Sequence, residues 1–355
     1  MTRVLLIKTS SLGDVVHCLP AVSDMARGAP DLELDWLIEA PLADIARLHP
    51  AVRRVVPTRQ RAWRKAPFAS ETRREFGAMR AAITEHRYDR VIDAQGLIRT
   101  AALSRFATGP HCGYDSQSVR EPPASLFYDR RFRVSVTLHA AERMRSLCAQ
   151  ALGYALPAEL DYGVRVEGAR PAWLPAGRYL VGLHATARPD KAWAEDAWIE
   201  LARRASGKHL ALALPWGDDA ERARAERIAA AAPGVVAPPK LSFPELAALF
   251  AGAEAVAGVD TGLTHLASAV GAPVVAIYAA SWSEFNGVIG PAFVANLGGP
   301  GDPPGVDEVW EALKRAMQSG RRTGAWRPAP AEPAPHLAGR RRFRPSNARA
   351  VVHRR

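Results

Sequence analysis

The sequence predicts an α/β fold of two doubly wound, parallel-sheet domains facing a cleft. Three observations carry that prediction. Short apolar runs alternate with segments of helical period through the first half. The alternation lapses between Tyr154 and Arg178, a stretch rich in Pro, Gly and Ala, and starts afresh at Tyr179. Finally, 355 residues, 48% of them hydrophobic, suffice for two sizeable cores. The expected domains are 1–165 and 166–319, followed by a tail, 320–355.

The first strand, Arg3–Lys8, holds four consecutive apolar residues, Val4 to Ile7, as a strand buried on both faces does. After "KTSSLGD", Val15, Leu19, Val22 and Met25 recur at steps of three and four, which predicts a helix over Asp14–Arg27. Strands follow at Leu32–Ile38, Arg53–Val56 and Arg90–Ala94. Helices fill Pro41–Leu48, Glu71–His86, Leu97–Thr108 and His139–Leu152. In the second half strands are expected at Tyr179–His184, His209–Leu214, Ala255–Val259 and Val274–Tyr278. Helices are expected at Glu195–Ser206, Asp219–Ala231, Pro244–Ala251, Gly262–Val270 and Val306–Gln318. Short strands alternating with helices imply parallel sheets, and two such domains place a cleft at the carboxyl ends of their strands.

The net charge of +11 is concentrated at one end. Residues 320–355 carry ten arginines and one glutamate among many Pro and Ala, with no sustained period, and read as disordered. Contact with anionic lipid or RNA and a dispensable extension are both open for this tail. A second basic concentration, "RQRAWRKAPF", surrounds Trp63 with Arg59, Arg61, Arg64 and Lys65. It suits either a solvated helical face or a surface for a phosphorylated, partly apolar partner. The apolar run before Lys8 is too short for a signal peptide, and no uninterrupted run is long enough to span a membrane, so the chain reads as soluble and intracellular. Cys18, Cys112 and Cys148 are widely spaced, which argues for reduced thiols and against a zinc site or disulfide framework.

Four strand ends carry polar groups. Asp14 falls in the first turn of its helix, either as a capping carboxylate or as a catalytic base on a loop held by a rigid sheet. In "AVAGVDTGLTHLASAVGAPVVAIY" a strand ends at Val259 and a helix starts near Gly262, so free backbone N–H groups offer an anion site with the Thr261 hydroxyl beside it. There Gly262 lets a diphosphate approach the backbone, whereas Asp260 fits only by orienting the loop or a sugar hydroxyl; the alternative is a capping box without phosphate. "LHATARPDKAW" supplies Thr186, Arg188 and Lys191, the lysine being either solvated or the counter-ion of a leaving group. "LPWGDDAERA" supplies Glu221, a carboxylate suited to ribose hydroxyls. No G-x-G-x-x-G or P-loop motif is present.

Taken together, "KTSSLGDVVHCLPA", "VIDAQGL", "REPPASLFYDR", "LHATARPDKAW", "LPWG" and "GVDTGLTHLASA" resemble the lipopolysaccharide heptosyltransferase family, in order from about residue 3 to 280. The resemblance implies a GT-B fold of two Rossmann-like domains, the first for the acceptor and the second for the nucleotide-sugar donor. It implies ADP-L-glycero-D-manno-heptose as donor, the Kdo sugar of Kdo2-lipid A as acceptor, and inversion at the anomeric carbon. Asp14 matches the family's general base. Lys8, Thr9, Ser10, Gly13, Thr186, Lys191, Glu221, Asp260, Thr261, Gly262 and His265 match positions at the donor. Arg61, Arg64, Lys65, Arg120 and His139 match positions linked to the phosphorylated acceptor. Two departures stand out: Ala187 replaces a threonine, and Ala279-Ala280-Ser281 replaces Gly-Pro-Thr.

An inverting transfer needs one base on the face opposite the leaving group. ADP leaves as a stabilised anion, so cations and helix N–H groups suffice; no cofactor is expected and a divalent metal is optional. With Gly13 giving the backbone room, this context favours Asp14 as the base. The acceptor is membrane-embedded, so a cytoplasmic enzyme in peripheral contact with the anionic inner membrane is expected, with no nucleic acid partner. Rival readings are a family member with another heptose or phosphosaccharide acceptor, and a basic RNA- or membrane-binding protein.

Overall fold

The computed structural model describes residues 1–168 and 170–319, so the expected disorder of 320–355 lies outside the described residues. The first half begins β1 (Thr2–Ile7), α1 (Leu12–Gly28), β2 (Leu32–Glu39), α2 (Ala43–Arg47), β3 (Val52–Thr58), α3 (Gln60–Lys65) and α4 (Ser70–Thr84). It continues β4 (Arg90–Asp93), α5 (Ile98–Ser104), β5 (His111–Tyr114), a 3-10 segment Pro122–Phe127, β6 (Arg130–Phe132) and α6 (Ala140–Leu152). The second half begins β7 (Tyr179–Leu183), α7 (Glu195–Ser206), β8 (Ala211–Ala213), α8 (Asp219–Ala231), β9 (Val235–Val236) and α9 (Phe243–Gly252). It ends β10 (Ala255–Val259), α10 (Gly262–Ala269), β11 (Val274–Tyr278), β12 (Val294–Gly298) and α11 (Val306–Ser319).

Both sheets are parallel and six-stranded, ordered β3-β2-β1-β4-β5-β6 and β12-β11-β10-β7-β8-β9. Each order reverses beside the first strand of its half, at β1/β4 and at β7/β10. Loops leave such a point in opposite directions and open a crevice at the strands' carboxyl ends. The run Val4–Ile7 is fully buried, as a central parallel strand covered on both faces must be. Four strands escape the sequence reading. β6 and β9 have three and two residues, β12 is an edge strand with partly exposed side chains, and β5 mixes His111 and Gly113 into its four residues. None offers the periodicity that marks a buried strand.

The halves are held together by α1, which packs on α6 of its own half and on α10 of the other. One apolar core joins Val15, Leu19 and Val22 of α1 to Leu266 and Ala267 of α10. A buried ion pair ties α1 to α6, Arg145 Nε donating to Asp24 Oδ2 at 2.6 Å. The same guanidinium donates through Nη2 to the carbonyls of Pro157 (2.8 Å) and Glu159 (2.7 Å), in the irregular segment after α6.

Candidate active site

Both switch points contribute to a single cavity. At the first, the chain leaves β1 through Lys8, Thr9 and Ser10, all buried. Gln95, just beyond β4, accepts the backbone N–H groups of Thr9 (3.0 Å) and Ser10 (3.1 Å) on its Oε1. Asp93 in turn accepts from the backbone of Gln95 (2.9 Å) and Gly96 (3.2 Å). These bonds satisfy buried amides that the strand can no longer pair, and they fix the loop leading into α1.

Asp14 sits at the third position of α1, whose N-cap is Ser11. Its Oδ2 accepts from the backbone N–H and the hydroxyl of Ser11, each at 3.0 Å, the reach-back half of a capping box. Lys8 Nζ stands 3.7 Å from Oδ1. Burial pushes the Asp14 carboxyl up, but Lys8, the Ser11 hydrogen bonds and Arg120 outweigh it and hold the group below the usual range. Asp14 is therefore a carboxylate at neutral pH. Capping and facing the cavity belong to the same side chain.

At the second switch point Thr261 occupies the N-cap position of α10, without a side-chain capping bond, and Asp260 precedes it. Lys191 Nζ donates to Asp260 Oδ2 at 2.5 Å, the Ser281 hydroxyl donates to the same oxygen, and Thr186 Oγ1 donates to the Asp260 carbonyl at 3.3 Å. Burial raises the Asp260 carboxyl, while Lys191 and Ser281 more than reverse that, so it stays ionised. Asp260 thus holds a lysine and a hydroxyl at the cavity edge.

The first turns of α1 and α10 touch. A Cβ on Gly262 would lie 2.5 Å from Leu12 Cγ and 2.7 Å from the Gly13 nitrogen, and one on Gly13 would lie 3.3 Å from His265 Cδ2. Gly262 is required by this helix–helix contact and Gly13 leaves little room for more than a hydrogen, a different reason from the phosphate access and backbone room expected of them. With the two helix N-termini side by side, free N–H groups and two positive dipole ends converge.

The cavity between the halves measures about 940 Å³. Of the residues expected at the site, Lys8, Gly13, Asp14, Arg120, Thr186, Lys191, Asp260, Thr261, Gly262 and His265 line it. The others lie elsewhere. Thr9 and Ser10 are buried behind the wall with their amides on Gln95. Glu221, in the first turn of α8, accepts from the Gly217 N–H at 2.7 Å. His139 caps α6 and bonds through Nε2 to the Gly287 carbonyl at 3.0 Å, so both ring nitrogens are engaged within the chain. Arg61, Arg64 and Lys65 are exposed on α3. Trp63, grouped with them as an exposed indole, is 8% exposed: its Nε1 donates to Glu75 and its ring packs edge-on against Phe76. The bare aromatic of that segment is Phe68.

Residues that sequence reasoning missed include Gln95, Arg143 and Trp282, all on the lining, where Arg188, named beside Lys191 without a role, joins them. Arg143 stacks over Tyr114 at 5.3 Å and leaves its buried Nε unpaired. Arg143 stands in the first turn of α6, away from the end of any apolar run, and offered no such signal. Ser281, one of the two departures, retains a hydroxyl that reaches Asp260. Among the described residues no group of three or more His, Cys, Asp or Glu is arranged to hold a metal ion, and no helix is long and apolar enough to cross a membrane.

Comparison with known proteins places these features among relatives. Residues 76–301 match Glycosyltransferase family 9 (heptosyltransferase). The chain is 44% identical to the lipopolysaccharide heptosyltransferase 1 of Pseudomonas aeruginosa over 81% of either chain. It is also 44% identical to that of Escherichia coli K12, over 78% of this chain and 87% of the relative. Among solved structures, E. coli heptosyltransferase WaaC with ADP superposes with a TM-score of 0.82 at 39% identity, covering 89% of this chain and all of that one. The same enzyme with ADP-2-deoxy-2-fluoro heptose gives 0.79 over 89% of this chain and 99% of that one. E. coli ADP-heptose LPS heptosyltransferase II, at 18% identity and a TM-score of 0.70, shares the fold.

Proposed function

The chain belongs to glycosyltransferase family 9, the heptosyltransferases, and from that premise we propose how its cleft performs the transfer. It is a glycosyltransferase that moves heptose in lipopolysaccharide core biosynthesis. We infer ADP-L-glycero-D-manno-heptose as donor, supported by the relatives solved with ADP and with an ADP-heptose analogue. The Kdo sugar of Kdo2-lipid A is the acceptor in this reading. The observation that carries it is the meeting of α1 and α10, which sets an ionised Asp14 across one cavity from Lys191 and a free helix N-terminus.

In the proposed step the acceptor hydroxyl oxygen attacks the anomeric carbon and gives its proton to the Asp14 carboxylate. The bond from that carbon to the diphosphate oxygen breaks, its electron pair leaves with ADP, and the configuration inverts. Lys191, held by Asp260, and the N–H groups opening α10 meet the charge that develops on the leaving oxygen. No general acid is needed for so stable an anion, and this lysine and these N–H groups supply what a divalent metal otherwise would, so metal remains optional.

The acceptor half supports peripheral contact with an anionic membrane. Exposed Phe68, Ile98, Val136 and Leu138 belong to segments that follow the carboxyl ends of β3, β4 and β6, the edge on which the cavity opens. Arg61, Arg64 and Lys65 share that edge. Apolar side chains among cations suit a headgroup boundary.

The test is a transfer assay with ADP-heptose and Kdo2-lipid A, using the full chain and one ending at Ser319. Heptosylated Kdo2-lipid A from both chains is expected. Product formed only with another phosphosaccharide would hand the acceptor assignment to a different family member's substrate. A function lost with residues 320–355 yet indifferent to Asp14 would favour a basic binding protein instead.

A further inference from the structure

His17 of α1 and His265 of α10 meet across the junction of the two halves. His17 Nε2 lies 3.0 Å from His265 Nδ1, and the rings stand edge-on with centroids 4.5 Å apart. Both side chains are buried. A third imidazole, His139, stands edge-on to His17 at 4.9 Å, its Nδ1 accepting from the Ala141 N–H and its Nε2 donating to the Gly287 carbonyl. The charged groups facing the pair are Lys8 and Asp14 from the first half and Lys191 and Asp260 from the second. Burial holds His17 well below its ordinary value and His265 at about 4, so both rings are neutral near pH 7.

Two neutral rings in N···N contact share one proton on the line between them. If His265 donates from Nδ1, its Nε2 presents a lone pair. If His17 donates from Nε2, His265 presents an Nε2–H. That second nitrogen has no hydrogen-bond partner among the described residues, and the ring lines the cavity in the first turn of α10. An anionic phosphate oxygen repels the lone pair and accepts from the N–H.

We propose that His17 is a positioning residue for the donor: by donating from Nε2 to Nδ1 of His265, it fixes the tautomer in which His265 offers Nε2–H to an anionic oxygen of the nucleotide diphosphate. This rests on the donor reading given above. His17 lies three residues after Asp14, on the same face of α1. One helical turn of the acceptor half then carries both the base and the group that orients the leaving diphosphate, which ties the position of the anomeric carbon to that of the base. The contact also makes donor binding sensitive to the seating of α1 on α10.

The experiment compares unmodified protein, His17→Phe and His17→Gln by calorimetric titration with ADP, and records long-range ¹⁵N–¹H spectra of histidine-labelled unmodified protein with ADP. The His265 signal is assigned by its loss in His265→Asn. With ADP bound, His265 is expected as the Nε2–H tautomer. His17→Phe should weaken ADP binding about tenfold, and His17→Gln, whose amide N–H can replace the lost donor, should restore it to within about threefold. A folded His17→Phe with unchanged ADP affinity overturns the inference. So does a His265 ring carrying its proton on Nδ1 in the ADP complex, a result that needs no variant of His17. Failure of the unmodified protein to bind ADP would overturn the donor reading itself, and this inference with it.

Discussion

Asp14 is asked to do two things with two oxygens. Oδ2 is held by Ser11, which leaves Oδ1, beside Lys8, as the oxygen to receive a proton. Asp14→Asn keeps an acceptor for the Ser11 N–H but removes the base. The expected outcome is near-native folding and ADP binding with kcat lower by about 10² to 10⁴; turnover close to wild type would end the assignment. On the proposed donor side, Lys191→Ala removes a cation and also leaves Asp260 without its lysine partner, beside the proposed phosphate site. ADP affinity by calorimetry should fall roughly tenfold or more, with acceptor KM little changed. Glu221→Gln should act in the same direction and more weakly, because that carboxylate holds the Gly217 amide outside the cavity wall. Unchanged affinity in both would move the nucleotide elsewhere. Asp14, Lys191, Asp260 and His265 were legible because each follows closely on the end of an apolar run. Gln95 and Arg143 were not, since their partners, the Thr9 and Ser10 amides and the Tyr114 ring, come from distant parts of the chain.

Among the elements, α1 carries the greatest burden. Its first turn touches α10, its body packs on α6, and Asp24 near its end receives Arg145. Removing one partner of a buried pair leaves the other charge uncompensated, which costs about 3–5 kcal/mol. Arg145→Met should therefore lower the midpoint of urea unfolding by a matching amount without changing the slope. It also releases the carbonyls of Pro157 and Glu159, so the segment after α6 should exchange its amides faster. A loss below about 1 kcal/mol would show that the pair is not a structural tie. Long elements with a clear period, α1 and α6 among them, could be drawn from the sequence to within a few residues. The short strands β5, β6, β9 and β12 could not, because their pairing is decided by neighbours in the sheet and not by their own composition. The same holds for Trp63: its cationic neighbours suggested exposure, and only the packing of α3 on α4 turns the indole inward.

On the scale of the whole molecule, histidine burial predicts acid sensitivity. His49, His184 and His265 are buried and held at about 4, desolvation being the first cause in each. Unfolding returns them to about 6.5. Between those values the unfolded chain binds more protons, so the stabilisation is complete above about pH 6.5 and is lost as pH falls towards 4. Each should contribute about 2 kcal/mol of loss between pH 7 and 5. Proton uptake on urea unfolding at pH 5 should approach one per histidine, and an uptake near zero would refute it. The charge distribution makes a second prediction at this scale, about how a protein with no membrane-spanning helix among its described residues would reach the proposed acceptor, a lipid held in a bilayer. Arg61, Arg64 and Lys65 stand exposed on α3, beside the 86% exposed Phe68, on the edge where the cavity opens. Arginine–phosphate contacts are strong but screened by salt. Replacing Arg61, Arg64 and Lys65 by alanine should raise the KM for Kdo2-lipid A several-fold, leave that for ADP-heptose nearly unchanged, and flatten the salt dependence of the rate. Ending the chain at Ser319 removes nine of the eleven net positive charges yet should do much less, because those charges lie beyond the last helix of the second half. If instead the shortened chain loses the acceptor while the triple variant keeps it, the acceptor surface belongs to the tail and not to α3.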